Sequence, residues 1–537
     1  MPTRQWTFAL VCLVLVGRLS YAEPPALKKP AGRIAGALVI AGGGSLPDAV
    51  RDRFVELAGG KDARLVVIPT ASASADGPDA AQSLEAWKKK GVASAVLLHT
   101  RSRVRAEDPA FVKPLAEATG VWLGGGDQSR LTAAYRGTAV ERELHKLLGR
   151  GGVIGGTSAG AAVMSPLMIT GGTDRAGVDE GFGFLPGFIV DQHFLRRDRV
   201  NRLLGALARY PGYAGLGIDE QTAVVVRGRT LTVVGNSYAL VCLAASSRRP
   251  AGVRVLKAGD RGADLIAASR AAVARARPPF PPEQPAAPVV ANGALVIGGG
   301  GRLSQDVWKR FIDLAGGPDA PLVVVPTAVE DPVPTDPVEA RMLRKAGAKN
   351  VTILHTRSRE EADKEAFWAP LRTAKGVWFS GGRQWRFVDA YEGTATEKAF
   401  HAVLARGGVI GGSSAGASIQ SEYMPRGDPR GNRTIIAEGY ERGFGFLKGT
   451  AVDQHFFARK RTADMTELVD AYPQLLGLGI DEGTVVIVRG PVMEVVGKSK
   501  VAVYDRRKPV RAGTPDYEEL PAGARYDLAA RKRVDGK

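Results

Sequence analysis

The hydrophobic positions of this chain form short, nearly continuous runs separated by amphipathic stretches. The early runs are rich in Val, Ile and Leu and comprise Ala37–Ile40, Arg64–Ile68, Ala95–Leu98, Gly120–Leu123 and Gly152–Ile154. The stretches with helical spacing between them include Leu46–Leu57, Asp79–Lys90 and Thr138–Leu148. Unbroken apolar runs are typical of strands buried on both faces, and their alternation with helices predicts an α/β fold with a doubly wound, mainly parallel sheet. Two later runs, Thr222–Arg227 and Leu231–Val234, flank a Gly-Arg pair and predict a hairpin.

The same pattern occurs twice along the chain. Gly36–Ile40 recurs as Gly293–Ile297, and an offset of 256–257 residues holds as far as Gly152–Ala161 and its counterpart Gly408–Ala417. The offset then grows to 262, because the second copy carries extra residues within Ser421–Ala437. A period this long predicts two homologous domains in tandem rather than a solenoid. We call them the first and the second repeat.

Composition sets the expected boundaries of these repeats. The first domain is predicted at residues 36–266 and the second at residues 292–506. Residues 267–291 are rich in Pro and Ala and predict a stiff, extended linker. Residues 507–537 are charged and lack periodicity, so we expect an irregular tail. With 537 residues, 45% hydrophobic and 24% charged, the chain has the composition of a folded protein with several cores.

The amino terminus has the pattern of a signal peptide. Arg4 precedes the apolar run Thr7–Gly17, and small residues follow at the positions that a signal peptidase reads, ending at Ala22. Cleavage of residues 1–22 predicts a secreted or periplasmic protein. The run is too short to span a bilayer comfortably, so no stable membrane insertion is expected after cleavage. Only Cys242 then remains, which excludes an internal disulfide and a cysteine-based metal site, and we expect no metal and no cofactor.

The charge balance is strongly basic. Lys and Arg number 73 against 55 Asp and Glu, which gives a formal net charge of +18. Such a balance favours acidic partners in general. The chain has no long Lys/Arg block, and only 7% of its residues are aromatic, so a diffuse basic surface is the preferred interpretation and a nucleic-acid partner is not expected.

Ser158 is the candidate nucleophile of the first repeat. It lies in a G-x-S-x-G pattern between Gly156 and Gly160, directly after a predicted strand and before an apolar helix. That context is the one a nucleophile elbow requires. The same sequence pattern is also compatible with a glycine-rich turn or with a phosphate-binding loop that lacks a lysine. The recurrence of the whole context around Ser414 in the second repeat favours the nucleophile.

A serine hydroxyl needs a base, and the histidines supply the candidates. The six histidines form three pairs between the repeats. His193 and its counterpart His455 lie in an Asp-Gln-His-Phe segment followed by arginines, and this pair is favoured. His99 ends a predicted strand and stays a second candidate, whereas His145 lies in a helical pattern and is assigned to packing. The orienting carboxylate is left open at this point among Asp191, Asp219 and Glu220.

The motifs taken together are more specific than any one of them. Gly124–Gln128, Gly156–Ala161, Asp191–Phe194 with the arginines after it, and Gly217–Glu220 resemble the cyanophycinase family of serine peptidases. The fold of that family is similar to class I glutamine amidotransferases. The resemblance covers nearly all of residues 36–240 and about 293–500, with the motifs in the same order in both repeats.

The resemblance implies both an activity and a site. The family hydrolyses cyanophycin, a polyaspartate chain with arginine joined to each side-chain carboxyl, and releases β-aspartyl-arginine dipeptides by acyl transfer. The implied catalytic residues are Ser158, His193 and Glu220 in the first repeat, and Ser414, His455 and Glu482 in the second. The implied oxyanion donors are the amides near Gly126, Ala159 and Ala415. The implied substrate-binding residues are Gln128, Asp191, Gln192, Arg197, Arg199, Arg202, Gln384, Asp453, Gln454, Arg459 and Arg461.

The chemistry of the polymer suggests which of these residues bind which of its charged groups. Each unit of such a polymer carries a guanidinium and an α-carboxylate. We expect Asp191 to receive the guanidinium, and Arg197, Arg199 or Arg202 to bind the carboxylate as a fork.

The second repeat departs from the pattern at three positions. Arg202 corresponds to Asp464, Asp127 to Arg383, and Ser129 to Trp385 (the first two changes reverse a charge near the presumed pocket). The second repeat is therefore expected to prefer another acyl substrate or to bind polymer without cutting it well.

Other functions remain open at this point. The second hypothesis is a peptidase of the same fold that acts on other isoaspartyl or acidic peptides. The third is a polymer-binding protein with impaired catalysis in one or both repeats. An α/β-hydrolase esterase shares G-x-S-x-G, but it normally places its acid between the serine and the histidine. The expected partner is a peptide polymer, and the two domains can pair within the chain as a homodimer would.

Overall fold

A computed structural model describes residues 30–173, 175–510 and 513–534. The predicted signal peptide, residues 1–22, lies outside the described residues. In the described part of the chain no helix has the length and apolar character needed to cross a membrane.

The first repeat runs from residue 34 to the end of a helix at residue 276. Its strands are β1 (Ile34–Ala41), β2 (Arg64–Ile68), β3 (Ser94–Leu97), β4 (Gly120–Leu123), β5 (Val153–Thr157), β6 (Leu167–Gly171), β7 (Gly177–Glu180), β8 (Phe188–Gln192), β9 (Ala214–Ile218), β10 (Thr222–Gly228), β11 (Thr230–Gly235), β12 (Tyr238–Leu243), β13 (Gly252–Lys257) and β14 (Ala263–Asp264). Its helices are α1 (Asp48–Leu57), α2 (Glu85–Lys88), α3 (Arg103–Glu107), α4 (Pro109–Glu117), α5 (Gln128–Tyr135), α6 (Ala139–Gly149), α7 (Ala159–Ala162), α8 (Val200–Arg209) and α9 (Leu265–Ala276).

The larger sheet of this repeat has the strand order β14-β11-β10-β1-β5-β4-β2-β3. Strands β1 to β5 are parallel, and β10, β11 and β14 continue the sheet in the antiparallel sense. Successive residues of β1 face opposite cores: Leu38 and Ile40 contact one, whereas Val39 and Ala41 contact the other. Cores on both faces confirm the predicted doubly wound α/β fold, and β10 with β11 is the predicted hairpin.

A second, smaller sheet stands beside the larger one, with the order β13-β12-β9-β8. Strands β8 and β9 are parallel and fully buried. The hydrophobic pattern does not distinguish this sheet from the larger one, because its strands are short apolar runs of the same kind. Its importance is positional, since β8 and β9 end directly before His193 and Asp219.

The second repeat is built in the same way. Its strands are β15 (Val290–Gly298), β16 (Leu322–Val325), β17 (Val351–Ile353), β18 (Gly376–Phe379), β19 (Val409–Ser413), β20 (Ser421–Tyr423), β21 (Leu447–Gln454), β22 (Leu476–Ile480), β23 (Thr484–Gly490), β24 (Val492–Gly497), β25 (Lys500–Asp505), β26 (Glu518–Pro521), β27 (Arg525–Asp527) and β28 (Lys532–Arg533). Its helices are α10 (Gln305–Leu314), α11 (Val338–Lys345), α12 (Arg359–Asp363), α13 (Glu365–Trp368), α14 (Trp385–Tyr391), α15 (Ala395–Ala405), α16 (Ala415–Ser418) and α17 (Thr462–Ala471). The sheet orders are β17-β16-β18-β19-β15-β23-β24-β27-β28 and β20-β21-β22-β25-β26.

The tail is not irregular, contrary to the expectation from its composition. Strand β26 pairs with β25, and β27 pairs with β24. In the first repeat β13 and β14 pair with the corresponding strands β12 and β11. The tail therefore covers the same two edges that residues 252–264 cover in the first repeat. Its apolar anchors Leu520, Tyr526 and Leu528 are buried, and they are spaced too widely to form a periodic signal.

The segment predicted as an extended linker begins inside a helix. Residues up to Ala276 belong to α9, whose alanines favour a helix and whose Ser269 and Arg270 are buried. Asp264 caps this helix by accepting a hydrogen bond from the amide of Ala267 at 2.9 Å. Only the proline-containing part after it lacks helix and strand, up to the start of β15.

Helix α9 and the loops around it contact the second repeat through ion pairs. Arg275 pairs with Glu438 at 2.6 Å, Arg249 with Glu441 at 3.1 Å, and Arg270 with Glu392. Arg229 reaches Asp389 at 2.9 Å and also stacks on Trp385, with its guanidinium carbon 4.3 Å from the ring centroid. Arginines on the first repeat and carboxylates on the second thus make a junction of complementary charge.

We expect Leu520→Ala to lower the free energy of unfolding by about 2–4 kcal/mol, because it leaves a cavity in the core. Urea denaturation of the full chain measures the change. Val510→Ala, at a position 52% exposed, is the matched control and should change stability by less than about 0.5 kcal/mol. Equal effects of the two substitutions would contradict the assignment of the tail to the second core.

Candidate active site

Ser158 lies on the sharp turn between β5 and α7. Its backbone has φ 52° and ψ −111°, and Ser414 in the second repeat has φ 56° and ψ −116°. Such a conformation is costly for a residue with a side chain and persists only where the surroundings hold it. The neighbouring glycines make the turn possible: a Cβ on Gly156 would lie 2.5 Å from the carbonyl oxygen of Gly160, and one on Gly160 would lie 2.2 Å from that of Leu123.

Three side chains converge at the carboxyl ends of β5, β8 and β9. Ser158 Oγ is 2.9 Å from His193 Nε2, and His193 Nδ1 is 2.6 Å from Glu220 Oε1. The second repeat has the same contacts at the same distances, from Ser414 to His455 and from His455 to Glu482. In this arrangement the imidazole can take the serine proton while the carboxylate orients and stabilises the imidazolium.

The other candidates for base and acid have different partners. Asp219 accepts hydrogen bonds from the amides of Leu195 and Arg196 and from Ser237 Oγ at 2.7–3.1 Å, so it braces the loop after β8. His99 lies between Thr70 Oγ1 and Asp76 Oδ1, both at 2.8 Å. His145 Nε2 is 2.9 Å from the carbonyl oxygen of Phe182. Of the three acids that spacing left open, Glu220 is therefore the one whose carboxylate contacts His193.

A glycine loop directly after β1 contributes to the site and was not singled out in the sequence analysis. The carbonyl of Gly42 accepts a hydrogen bond from the amide of His193 at 2.7 Å. Gly43 has φ +108°, and a Cβ there would lie 2.4 Å from His193 Cε1. A Cβ on Gly44 would lie 3.0 Å from Glu220 Oε2. Glycine runs that follow the first strand of both repeats are the signal that would have identified this loop.

Two backbone amides lie where a negative charge can develop. The loop after β4 passes beside the nucleophile, since a Cβ on Gly125 would lie 3.5 Å from Ser158 Cβ. Neither Gly126 N–H nor Ala159 N–H donates to an acceptor among the described residues. Ala159 is also the first residue of α7, and Ala415 has the same place in α16. These positions suit donors to the oxyanion of an acyl-transfer reaction.

Asp191 lies beneath the site rather than in an open pocket. Its side chain is fully buried and accepts hydrogen bonds from Arg202 Nε at 3.0 Å and from Arg202 Nη2, with Arg199 Nη1 at 3.7 Å. A buried carboxylate keeps its cation, because removing the partner leaves an uncompensated charge. The expectation that Asp191 receives a substrate guanidinium directly is therefore corrected: its own arginines already occupy it.

The remaining candidates of the first repeat divide into supporting and exposed groups. Gln128 is buried and donates from Nε2 to the carbonyl of Ile169 at 2.7 Å. Arg199 Nη1 donates to both the backbone and the side-chain oxygen of Gln192, each at 2.7 Å. Arg197 is exposed, and in the part of the chain that the structure describes its guanidinium pairs with no carboxylate. Among the three candidate arginines of the first repeat, Arg197 is therefore the most available to a ligand.

The second repeat places its candidates in corresponding positions. Gln384 Nε2 donates to the carbonyls of Pro425 and Arg426 at 2.8 and 2.9 Å. Arg461 Nη1 donates to Gln454 Oε1 and to Asp453 Oδ1, each at 3.0 Å. Arg459 is exposed, as Arg197 is.

Of the substituted residues in the second repeat, Arg383 contacts its extra segment and Trp385 contacts the first repeat at the junction. Asp127 caps α5 by accepting from the amide of Ser129 at 2.9 Å, whereas Arg383 donates to the carbonyls of Asp428 and Gly431, both at 2.6 Å. Trp385 lies under Arg229 of the first repeat. Arg383 thus replaces a helix cap with contacts that hold the longer loop. Trp385 contributes to the contact between the repeats.

Burial lowers the pKa of His455 below its usual range, and Arg459 and Arg461 add to this effect, while the hydrogen bond to Glu482 acts in the opposite direction. A base with a lowered pKa is neutral, and so able to accept a proton, at a more acidic pH.

Comparison with known proteins identifies the family of this chain. The sequence profile of peptidase family S51 matches residues 38–234 and 294–496, one match in each repeat. The chain belongs to peptidase family S51. This confirms the resemblance to the cyanophycinase family of serine peptidases.

Two curated relatives are cyanophycinases. The one from Synechococcus elongatus is 39% identical over 214 residues, which is 37% of this chain and 65% of that protein. The one from Geminocystis herdmanii is 37% identical over 197 residues, 35% of this chain and 71% of that protein. The chain thus spans just under two thirds of the first relative. A solved peptidase structure from an acI-B1 Actinobacterium is 23% identical, with a TM-score of 0.36, and covers 43% of this chain and 98% of that one.

We expect Gly43→Ala to slow the reaction of Ser158 with a serine-directed fluorophosphonate by about 100-fold or more, because the added methyl displaces His193. The rate is measured in a Ser414→Ala background. Gly59→Ala is the matched control, since Gly59 has φ +111° but no atom closer than 3.8 Å to an added Cβ. A similar loss in both variants would show that backbone strain, not the contact with the imidazole, is responsible.

We expect the reaction of Ser414 with the same reagent to rise with pH through a midpoint below the ordinary histidine value of about 6.5. The sign follows from the neutral form of His455 being the active one, and its lowered pKa. The rate is measured against pH in a Ser158→Ala background. Arg459→Gln should move the midpoint upward, because a neighbouring positive charge is removed. A midpoint at or above 6.5 would contradict the assignment.

Proposed function

We propose that this chain is an exported serine exopeptidase that hydrolyses cyanophycin to β-aspartyl-arginine dipeptides. The observation that carries the proposal is the Ser–His–Glu arrangement, present in both repeats at 2.9 and 2.6 Å, in a chain of peptidase family S51. The similarity to proteins named cyanophycinase supports the choice of substrate.

The reaction proceeds by acyl transfer. Ser158 Oγ attacks the peptide carbonyl while His193 Nε2 takes its proton, and Glu220 stabilises the imidazolium that forms. The amides of Gly126 and Ala159 donate to the oxyanion of the tetrahedral intermediate. His193 then returns the proton to the leaving nitrogen, the C–N bond breaks, and a water activated by the same imidazole hydrolyses the ester. Ser414, His455 and Glu482 perform the same steps in the second repeat.

Substrate recognition is assigned to the arginines that remain available. Arg197 and Arg459 are exposed near the loops that carry the two histidines, and a guanidinium binds a carboxylate as a planar fork. Each unit of the polymer offers an α-carboxylate for this contact. Export is part of the proposal because residues 1–22 have the pattern of a cleaved signal peptide, and cell fractionation tests it.

We expect purified cyanophycin to be converted to β-aspartyl-arginine, identified by mass, and the Ser158→Ala/Ser414→Ala protein to be slower by roughly 1000-fold or more. Each single variant reports the activity of the other repeat. Ser129→Ala, which keeps the backbone amide that Asp127 caps, is the control for a serine outside the site.

Each outcome has a definite meaning. Loss of activity only in the double variant shows that both repeats cut the polymer, and loss in one single variant assigns the activity to that repeat. A folded protein that reacts with the phosphonate but releases nothing from cyanophycin contradicts the substrate assignment. A panel of isoaspartyl and acidic peptides then identifies the substrate that the same nucleophiles accept.

A further inference from the structure

The buried aspartate beneath each active site needs a positive charge beside it, and the two repeats obtain that charge from different elements. Asp191 and Asp453 are at equivalent positions of the two repeats, and both side chains are fully buried. Each also accepts a hydrogen bond from the backbone amide of the glutamine after it, at 2.9 and 3.0 Å. The residue that faces Asp191 in the first repeat is Arg202, whose aligned counterpart in the second repeat is acidic.

Arg202 makes two kinds of contact from helix α8. Its Nε and Nη2 donate to the two oxygens of Asp191, and its Nη1 donates to the carbonyl of Gly172 at 2.9 Å. It therefore joins the end of β8 to the loop between β6 and β7. Asp191 is two residues before His193 at the end of β8, so this contact fixes the backbone that leads into the catalytic histidine.

Arg426 makes both kinds of contact in the second repeat, although it comes from the extra segment between β20 and β21. Its Nε and Nη2 donate to Asp453 Oδ1 and Oδ2, both at 3.0 Å, and its Nη1 donates to the carbonyl of Asn432 at 2.9 Å. Its Nη2 also reaches Asp464 Oδ2, the side chain at the aligned position of Arg202, at 2.5 Å. Arg426 is only 3% exposed.

We propose that Arg426 is the positioning residue that replaces Arg202 in the second repeat, so that the apparent charge reversal at Asp464 leaves the second substrate pocket complete. The inference rests on the proposed function for its substrate. It predicts, against the expectation from the aligned positions, that the charge reversal does not weaken the second site, because a guanidinium from another segment contacts the same carboxylate. Asp464 is 43% exposed and pairs with that guanidinium from the solvent side.

The position of Arg426 affects the substrate pocket through Gln454 rather than through the catalytic serine. Arg461 Nη1 is shared between Asp453 Oδ1 and Gln454 Oε1, each at 3.0 Å. Without Arg426, the buried Asp453 would draw Arg461 to itself, since a lone buried charge is costly. Gln454 would then lose the donor that orients its amide. In the described part of the chain no hydrogen bond or ion pair joins Arg426 to Ser414, His455 or Glu482, so the geometry of these three residues is expected to persist.

The test moves the guanidinium back to its position in the first repeat. In a Ser158→Ala background, we expect Arg426→Gln to lower kcat/KM for cyanophycin by about tenfold or more, mainly through KM. We expect the rate at which Ser414 reacts with a small fluorophosphonate to stay within about twofold, because that reagent needs only the triad. Arg426→Gln/Asp464→Arg should recover most of kcat/KM, since an arginine on α17 then has the place that Arg202 has on α8.

Two matched controls isolate the effect. Arg430→Gln removes an arginine of the same segment whose side chain is 58% exposed and pairs with Asp428, and we expect it to leave kcat/KM unchanged. Arg202→Gln in a Ser414→Ala background should reproduce the loss in the first repeat. Asp464→Arg alone should bring no gain, because Asp453 already has its guanidinium.

The outcomes separate this inference from the proposed function. An unchanged kcat/KM in Arg426→Gln, an equal loss in Arg430→Gln, or a folded double variant without recovery would each overturn the inference. If the Ser158→Ala protein cuts no cyanophycin although Ser414 still reacts, the substrate assignment of the second repeat fails. In that case the melting temperature tests the role of Arg426. A lower melting temperature in Arg426→Gln that is restored in Arg426→Gln/Asp464→Arg supports the replacement of Arg202 by Arg426. Equal melting temperatures of Arg426→Gln and the parent protein overturn it.

Discussion

The close approach of the glycine loop after β1 to the catalytic histidine is the contact on which both active sites depend. The serine comes from the larger sheet, whereas the histidine and the glutamate come from the smaller one. Gly42 holds the backbone of His193 by a 2.7 Å hydrogen bond, and the absence of a side chain on Gly43 leaves room for the imidazole. The two sheets can therefore meet closely enough to join Ser158 Oγ to His193 Nε2. The strained backbone of Ser158 is tolerated because this packing holds it from several sides.

The duplication has not produced two identical halves. The first repeat closes its edges with strands that come before α9, and the second closes the same edges with the tail. The extra segment of the second repeat supplies Arg426 to the buried Asp453, and its backbone is held by Arg383. Trp385 and Tyr440, close to this segment, contact Arg229 of the first repeat at the junction. The changes that distinguish the second repeat thus form one connected group around its extra segment.

Several features could be read from local pattern. Most of the buried strands, the helices around them and the hairpin of β10 and β11 were predictable because they depend on residues close together in the chain. Strand β3 was predicted as buried, but it lies at the sheet edge and is largely exposed. Ser158 was predictable because a nucleophile elbow needs small residues at fixed positions, and the repeat showed the same need twice. The segment Asp79–Lys90 is a partial success, since it begins as a 3₁₀ helix and only Glu85–Lys88 is α-helical. The predictions of an irregular tail and of a linker that begins at residue 267, within α9, were wrong, because edge pairing and burial by a neighbouring repeat leave no periodic signal.

The sequence by itself determined the α/β class, the tandem repeat and the residue types at the site, since these follow from hydrophobic period, internal similarity and motif spacing. Residue spacing left Asp191, Asp219 and Glu220 open as partners of His193, and the family resemblance implied Glu220; the tertiary structure decided among them, because Glu220 is the one of the three whose carboxylate contacts the imidazole. The role of Asp191 was decided in the same way: burial makes it the partner of an arginine. Arg426 shows the limit of reading by alignment, because a charge is balanced by whatever cation lies near it in space and not by the residue at the matching position.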